Sequence, residues 1–266
     1  YGSFQENKLN KINLTPTKIE IIPSYAFYEN SYSKILDLPI HSNFSKIERS
    51  AFENCFITNN QIIRSSVTEI NKFAFFNNKI QGLNLINANG LTILEEGIFM
   101  NNDMSGTTIK IPKNVSIIDT DAFKNSGISQ VNFDYFKPTI NEILNPALRR
   151  INRGAFQNNN ITGILDIYSF NLEIINQFAF DTNNITQVNF NINNFYFRTS
   201  DSAYSNNPIT IMNFPIIWIL KSVGFSAPFL QKTLLYSYTT LINPNIGGYN
   251  ADEIDTIIDG SDNIWL

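Results

Sequence analysis

A single histidine, His41, and a single cysteine, Cys55, bound the acid–base and thiolate chemistry open to this chain. One imidazole excludes a His-pair metal site or a relay between two histidines. His41 falls in a linking segment beside Pro39, with no second base to work with. A cysteine nucleophile needs a base or a positive field to ionise it; nothing of that kind surrounds Cys55 in the sequence. No glycine-rich phosphate loop or zinc-ligand spacing occurs. The densest acidic run is Asp252, Glu253, Asp255, Asp259 and Asp262. Calcium needs several oxygens converging on one point, and this spacing does not match a calcium loop; the run reads as a solvated helix end. Asp37 and Asp166 are the remaining candidates for a carboxylate pair, but the repeat described below puts them about 25 Å apart, too far to act together. The chain is therefore expected to be no enzyme and to hold no metal or other cofactor. Asn-x-Ser/Thr triplets at Asn13, Asn43, Asn114, Asn160 and Asn184 are expected by chance where asparagine is this abundant.

With 43% hydrophobic residues, the 266-residue chain has enough apolar material for a large core. A net charge of −4 and a sequence pI near 5.1 provide no basic stripe for nucleic acid and no polybasic patch for anionic lipid. Residues Tyr1–Glu6 lack the features of a signal peptide. The apolar run Pro215–Leu220 is too short to span a bilayer and meets Lys221, so no membrane insertion is expected. One cysteine allows no internal disulfide, which is compatible with secretion. The abundance of Asn and Ile reads as codon bias and carries little functional weight.

What must position any functional side chain is an internal repeat. An aromatic position recurs at Phe4, Phe27, Phe52, Phe75, Phe99, Phe123, Phe156, Phe180 and, degenerately, Tyr204, usually preceded by Ala. The spacing is 23–25 residues except for one gap of 33, between Phe123 and Phe156, which places an insertion near 134–143. Apolar residues recur in phase: five before the ring (Ile22, Ile47, Ile70, Leu94, Ile118, Ile151, Ile175), eight before it (Phe44, Val67, Leu91, Val115), five after it (Leu9, Tyr32, Ile57, Ile80, Met104) and ten after it (Leu14, Ile62, Leu85, Ile109, Phe133, Phe190, Phe214). Three after the ring stands Asn, or Cys55, or Ser126, a position suited to bonding backbone at a turn buried between coils.

Segments such as Leu83-Asn84-Leu85 alternate apolar and polar and predict short strands that stack in parallel from coil to coil. The Ile at −5, the Ala at −1 and the ring itself predict one face of a helical turn. No unit can bury its apolar side alone, so stacking makes a continuous core with the rings as its spine.

The pattern Ile-x-x-x-Ala-Phe-x-x-Asn/Cys-x-x-Ile-x-x-Leu-x-Leu resembles the BspA-like, or Treponema-type, leucine-rich repeat over Phe4 to Phe214. It departs from that pattern in using Asn for the usual Cys and in keeping the strand-ending Pro only at Pro39 and Pro112. The resemblance implies an α/β repeat solenoid, a right-handed leucine-rich-repeat superhelix of short parallel strands and short helical turns. It also implies a bacterial or protist surface or secreted protein that attaches to host matrix proteins or other cells. About nine units fill residues 1–214, the first incomplete. Residues 215–266 are expected to cap the last coil, with a short helix over Ala251–Asp259.

The strand face offers the best surface for recognition. Gln81, Asn84, Gln130, Asn132, Gln187 and Asn189 are polar but uncharged, and Tyr135 and Phe136 in the insertion add aromatic anchors. The sequence thus predicts a non-catalytic adhesion or protein-binding module with a protein or glycan ligand at a cell surface. The alternative is a structural or targeting module of a larger secreted protein, such as a toxin or cell-wall enzyme.

Overall fold

A computed structural model describes residues 2–133, 148–169, 171–191, 197–200 and 202–213, together with four short strands beyond them. The described chain winds into stacked coils, each contributing to two parallel ladders. The first ladder is built from Lys11–Asn13, Ile35–Asp37, Gln61–Ile62, Leu83–Asn84, Thr108–Lys110, Gln130–Asn132, Thr162–Tyr168, Asn184–Asn191 and Ile211–Asn213. Strands that pair do so in parallel between successive coils, with Ile12 opposite Leu36, Ile109 opposite Val131 and Val188 opposite Met212. These opposed residues point inward while their neighbours along each strand face outward, the period-2 alternation of a half-buried sheet.

The second ladder has no counterpart in the expectation from sequence. It consists of two-residue strands, Ile21–Ile22, Lys46–Ile47, Glu69–Ile70, Ile93–Leu94, Ile117–Ile118, Arg150–Ile151, Ile174–Ile175 and Arg198–Thr199. Its second residue is the −5 position, buried from Ile22 through Ile175. What was expected as one helical turn is therefore a strand followed by a corner, and no helix occurs among the described residues.

Hydrogen bonding explains the difference. A helix needs each N–H to reach the carbonyl four residues back in its own coil. Here the Phe52 N–H donates to the Ala74 carbonyl of the next coil, and Phe75, Phe123 and Phe180 donate likewise to Ile98, Ala155 and Ala203, at 2.7–3.0 Å. The residues two before and two after the ring donate across coils too, as Phe73 does to Glu96 and Asn77 to Met100. Only the alternate residues make local three-residue turns, for example Ala74 to Asn71 and Phe76 to Phe73. This zigzag requires left-handed backbone on both flanks of the ring, with φ of 59° at Phe73 and 52° at Asn77 and the same pair at Phe178 and Thr182. A helix cannot continue through such residues.

The rings do form a spine. From Phe4 to Tyr204 each stacks on the next with centroids 5.2–5.6 Å apart and planes within 19° of parallel. Phe123 and Phe156 keep this contact, at 5.4 Å, across the 33-residue gap. The extra residues therefore leave the core undisturbed. The insertion itself, with Tyr135 and Phe136, lies outside the described residues, as do all five acidic residues of the run from Asp252 to Asp262.

Two core assignments are corrected. Ile62 is 57% exposed, whereas Gln61 is buried with its amide donating to the Leu36 carbonyl and to Asn59. Tyr32 is exposed as well; Ser33 takes the inward place and its hydroxyl donates to the Leu9 carbonyl. Beyond the coils, Thr240–Ile242 pairs antiparallel with Ile211–Asn213 and with Leu235–Ser237. Ile257–Ile258, expected on a helix, is a strand paired antiparallel with Ile264–Trp265.

Candidate binding surface

From Asn30 to Asn207 each coil corner is held by the side chain three residues after the ring. The Asn78 amide donates to the carbonyls of Phe52 and Phe75, and its oxygen accepts the Ile57 N–H. Asn102, Asn183 and Asn207 repeat the arrangement. Cys55 and Ser126 keep only the donor half, to Phe27 and Phe99. Burial pushes the Cys55 thiol up to about 12, which removes any nucleophilic thiolate. His41 is likewise committed, with Nε2 against the Ile19 carbonyl at 2.9 Å.

A second asparagine column, two residues after the ring, went unnoticed in the sequence. Asn77 donates to Asn54, Asn125 to Asn101, and Asn158 to Asn125 along the outside of the corner. All are left-handed, a conformation asparagine tolerates better than most residues. The visible sign was the Asn-Asn doublet at 77–78, 101–102, 158–159 and 206–207. Part of the asparagine content ascribed to codon bias is thus structural.

The outward positions of the first ladder carry little charge. Its strands include only Lys11, Asp37, Lys110 and Asp166, two of each sign, and Lys11 pairs with Asp37 at 2.9 Å. Charges gather instead on and beside the second ladder, where Lys46 meets Glu69, Lys72 meets Glu96, and Arg149 and Arg150 both meet Glu173. Hydrogen bonds from Lys46 and from Arg149 hold the Glu69 and Glu173 carboxyls below their ordinary range. Glu95, burdened by burial and by Asp119, is shifted the other way.

Of the candidate residues, Asn84 and Gln130 stand exposed on the outer face of the first ladder, with Asn132, Gln187 and Asn189 half-buried beside them. Gln81 is exposed but precedes its strand. The amides are not all free to meet a ligand: Asn189 donates to Asp166 and accepts from Gln187 and Asn213, and the Asn84 oxygen accepts the Ile86 N–H. The face is also less uniformly polar than expected, because Ile35, Ile62 and Ile164 are exposed on it. Asp37 and Asp166 sit on strands five coils apart and are not brought together. Among the described residues no three His, Cys, Asp or Glu side chains converge to hold a metal ion, and no helix is long and apolar enough to cross a membrane.

Parallel strands stacked coil on coil, with an in-phase apolar core and a laddered corner, define a leucine-rich-repeat β-solenoid. The chain matches the model of the BspA type leucine rich repeat region over residues 1–130 and 128–227, in six copies, and it belongs to that family. No curated protein matches it. Repeats of this family commonly mediate protein binding or adhesion, and such solenoids are typically non-enzymatic scaffolds.

Proposed function

We propose that the chain is a secreted or cell-surface recognition module that attaches to a protein or glycan of a host matrix or another cell. Its contact surface is the outward side of the first ladder, including Asn84, Gln130, Asn132, Gln187 and Asn189. The observation that carries this reading is the partition of charge: apart from Lys11–Asp37, the ion pairs between coils among the described residues occupy the second ladder and its rim, leaving the first ladder amide-rich and nearly neutral in net charge. Charged side chains would have served solubility as well, so their scarcity on one face favours hydrogen-bonded contact with a partner. In the same reading residues 1–214 form the binding solenoid, wound right-handed as parallel crossovers are, and 215–266 close its end. Tyr135 and Phe136 of the insertion serve as aromatic anchors for the same partner.

The test is binding to an array of immobilised matrix proteins and glycans, comparing the parent with a combined Asn84, Asn132 and Asn189 alanine variant and with Lys124→Ala as a control off this face. Each lost hydrogen bond is expected to weaken binding by about 0.5–1.5 kcal/mol. Equal binding by the triple variant, with loss in Tyr135→Ala or on removal of the C-terminal segment, would place recognition elsewhere.

A further inference from the structure

As between Ile35–Asp37 and Gln61–Ile62 and between Leu83–Asn84 and Thr108–Lys110, the first ladder is unpaired between the sixth and seventh coils. The corner stays closed there, with Phe123 bonded to Ala155 and Asn125 to Gln157, and the Asn160 N–H still reaches the Ile128 carbonyl. The Thr162 N–H also reaches the Ser129 carbonyl, at 3.3 Å; past it Gln130–Asn132 pairs only with Thr108–Lys110, and Thr162–Tyr168 only with Asn184–Asn191. The register between these last two strands slips by one residue between Gly163 and Ile164, leaving Thr186 unopposed. Gly163 takes φ of +74°, and a Cβ placed on it would meet nothing within 4 Å. Irregularities of this kind re-aim side chains and recur beside binding sites.

The opening is a cavity of about 300 Å³, lined by Gln130, Asn132, Ile161, Ile164, Leu165 and Asp166 among others. That size is at the low end of small-molecule sites, about 300–1,000 Å³. Its chemistry is selective. No lysine or arginine lines it, which disfavours phosphate, sulfate and carboxylate ligands. One carboxylate is too few oxygens of charge for calcium. Amides and Asp166 supply donors and acceptors side by side, and Asn189 steers one Asp166 oxygen from the neighbouring strand at 2.6 Å. Ile164, 58% exposed, adds an aliphatic surface. Paired donors and acceptors in a mainly polar lining, with Ile164 at its border, match the hydroxyl-bearing edge of a sugar ring.

We propose that this groove binds a single neutral sugar ring, with Asp166 and Gln130 bonding its hydroxyls and Ile164 packing on its C–H face. The proposal rests on the recognition reading above and narrows its ligand to a glycan. The experiment is titration of the full 266-residue chain with a panel of free hexoses and N-acetylhexosamines, followed by saturation-transfer NMR and calorimetry. The same titration is repeated on Asp166→Asn, Gln130→Ala and Lys124→Ala proteins shown to melt as the parent does. At least one sugar is expected to bind saturably, weakened about tenfold or more by Asp166→Asn, to a smaller extent by Gln130→Ala, and not by Lys124→Ala. Absence of binding by every sugar, equal binding by both groove variants, or a groove that responds only to peptides overturns the proposal. If no sugar binds while the triple alanine variant still loses its immobilised ligand, this proposal falls and the face-wide reading stands. If sugars bind in the groove while that variant keeps every other ligand, the reverse holds.

Discussion

Phe123 lies between two rings, Phe99 at 5.6 Å and Phe156 at 5.4 Å, and is fully buried. Truncation to alanine removes both contacts and leaves a cavity that the stacked backbone cannot close, so Phe123→Ala is expected to cost about 3–5 kcal/mol. Hydrogen exchange should quicken first in the coils carrying Phe99 and Phe156, and uniform exchange would contradict a nearest-neighbour core. Cys55 provides a titratable probe of the same core. Its thiol is raised from about 9 to about 12 by burial, so the folded protein keeps a proton that the unfolded chain releases. Stability contributed by the buried thiol is therefore fully present below pH 9 and is lost as pH rises toward 12. Cys55→Ser should flatten that part of a stability–pH curve, and alkylation of native Cys55 should proceed only at the rate of local opening.

At the scale of one corner, the asparagine three residues after the ring joins two coils through three bonds. Asn183→Ala leaves the Ile161 N–H and the Phe156 carbonyl without that partner in the interior, while the Phe180 carbonyl keeps the Asn207 amide. Each buried group left unpaired costs about 1–3 kcal/mol. Denaturant unfolding should therefore place Asn183→Ala among the more damaging single substitutions, while exposed Asn184→Ala stays within about 0.5 kcal/mol of the parent. Comparable losses for the two would mean that the corner is held by its backbone alone. Cys55 and Ser126 show what the position minimally demands: each is small and donates to the preceding ring residue's carbonyl.

Across the whole molecule the two ladders divide the labour. Ion pairs on the second ladder and its rim are exposed and each contributes at most about 1 kcal/mol. Salt should accordingly shift the melting temperature little. Binding through the first ladder should also depend weakly on ionic strength, because its strands carry only four charged residues of balanced sign. Affinity measured at low and high salt checks this, and a steep decline would point to the charged side as the contact surface.

The phase of the repeat was readable in the sequence because stacking imposes it: every coil must present an apolar residue at the same place, so Phe75, Phe99 and Phe123 recur with Ile80, Met104 and Ile128 in step. The asparagine or its substitute at the corner was readable for the same reason, and so were inward residues of the first ladder such as Leu85, Ile109 and Phe133, but not Gln61. The sequence also determined that Gln130, Asn132, Gln187 and Asn189 fall on outward or half-buried strand positions. The conformation of the corner was decided only in the tertiary structure. Apolar residues at −5, −1 and 0 satisfy both a helical turn and a strand with a corner, and the two differ in whether N–H groups bond within a coil or to the next one. Gln61 and Ser33 turn inward, and Ile62 and Tyr32 outward, because polar partners on the adjacent coil, the Leu36 and Leu9 carbonyls, await the inward side chains. The groove at Asp166 lies between the strands of two coils, lined by Gln130 and Asn132 from one and by Ile164 and Asp166 from the next, a relation that no single repeat encodes.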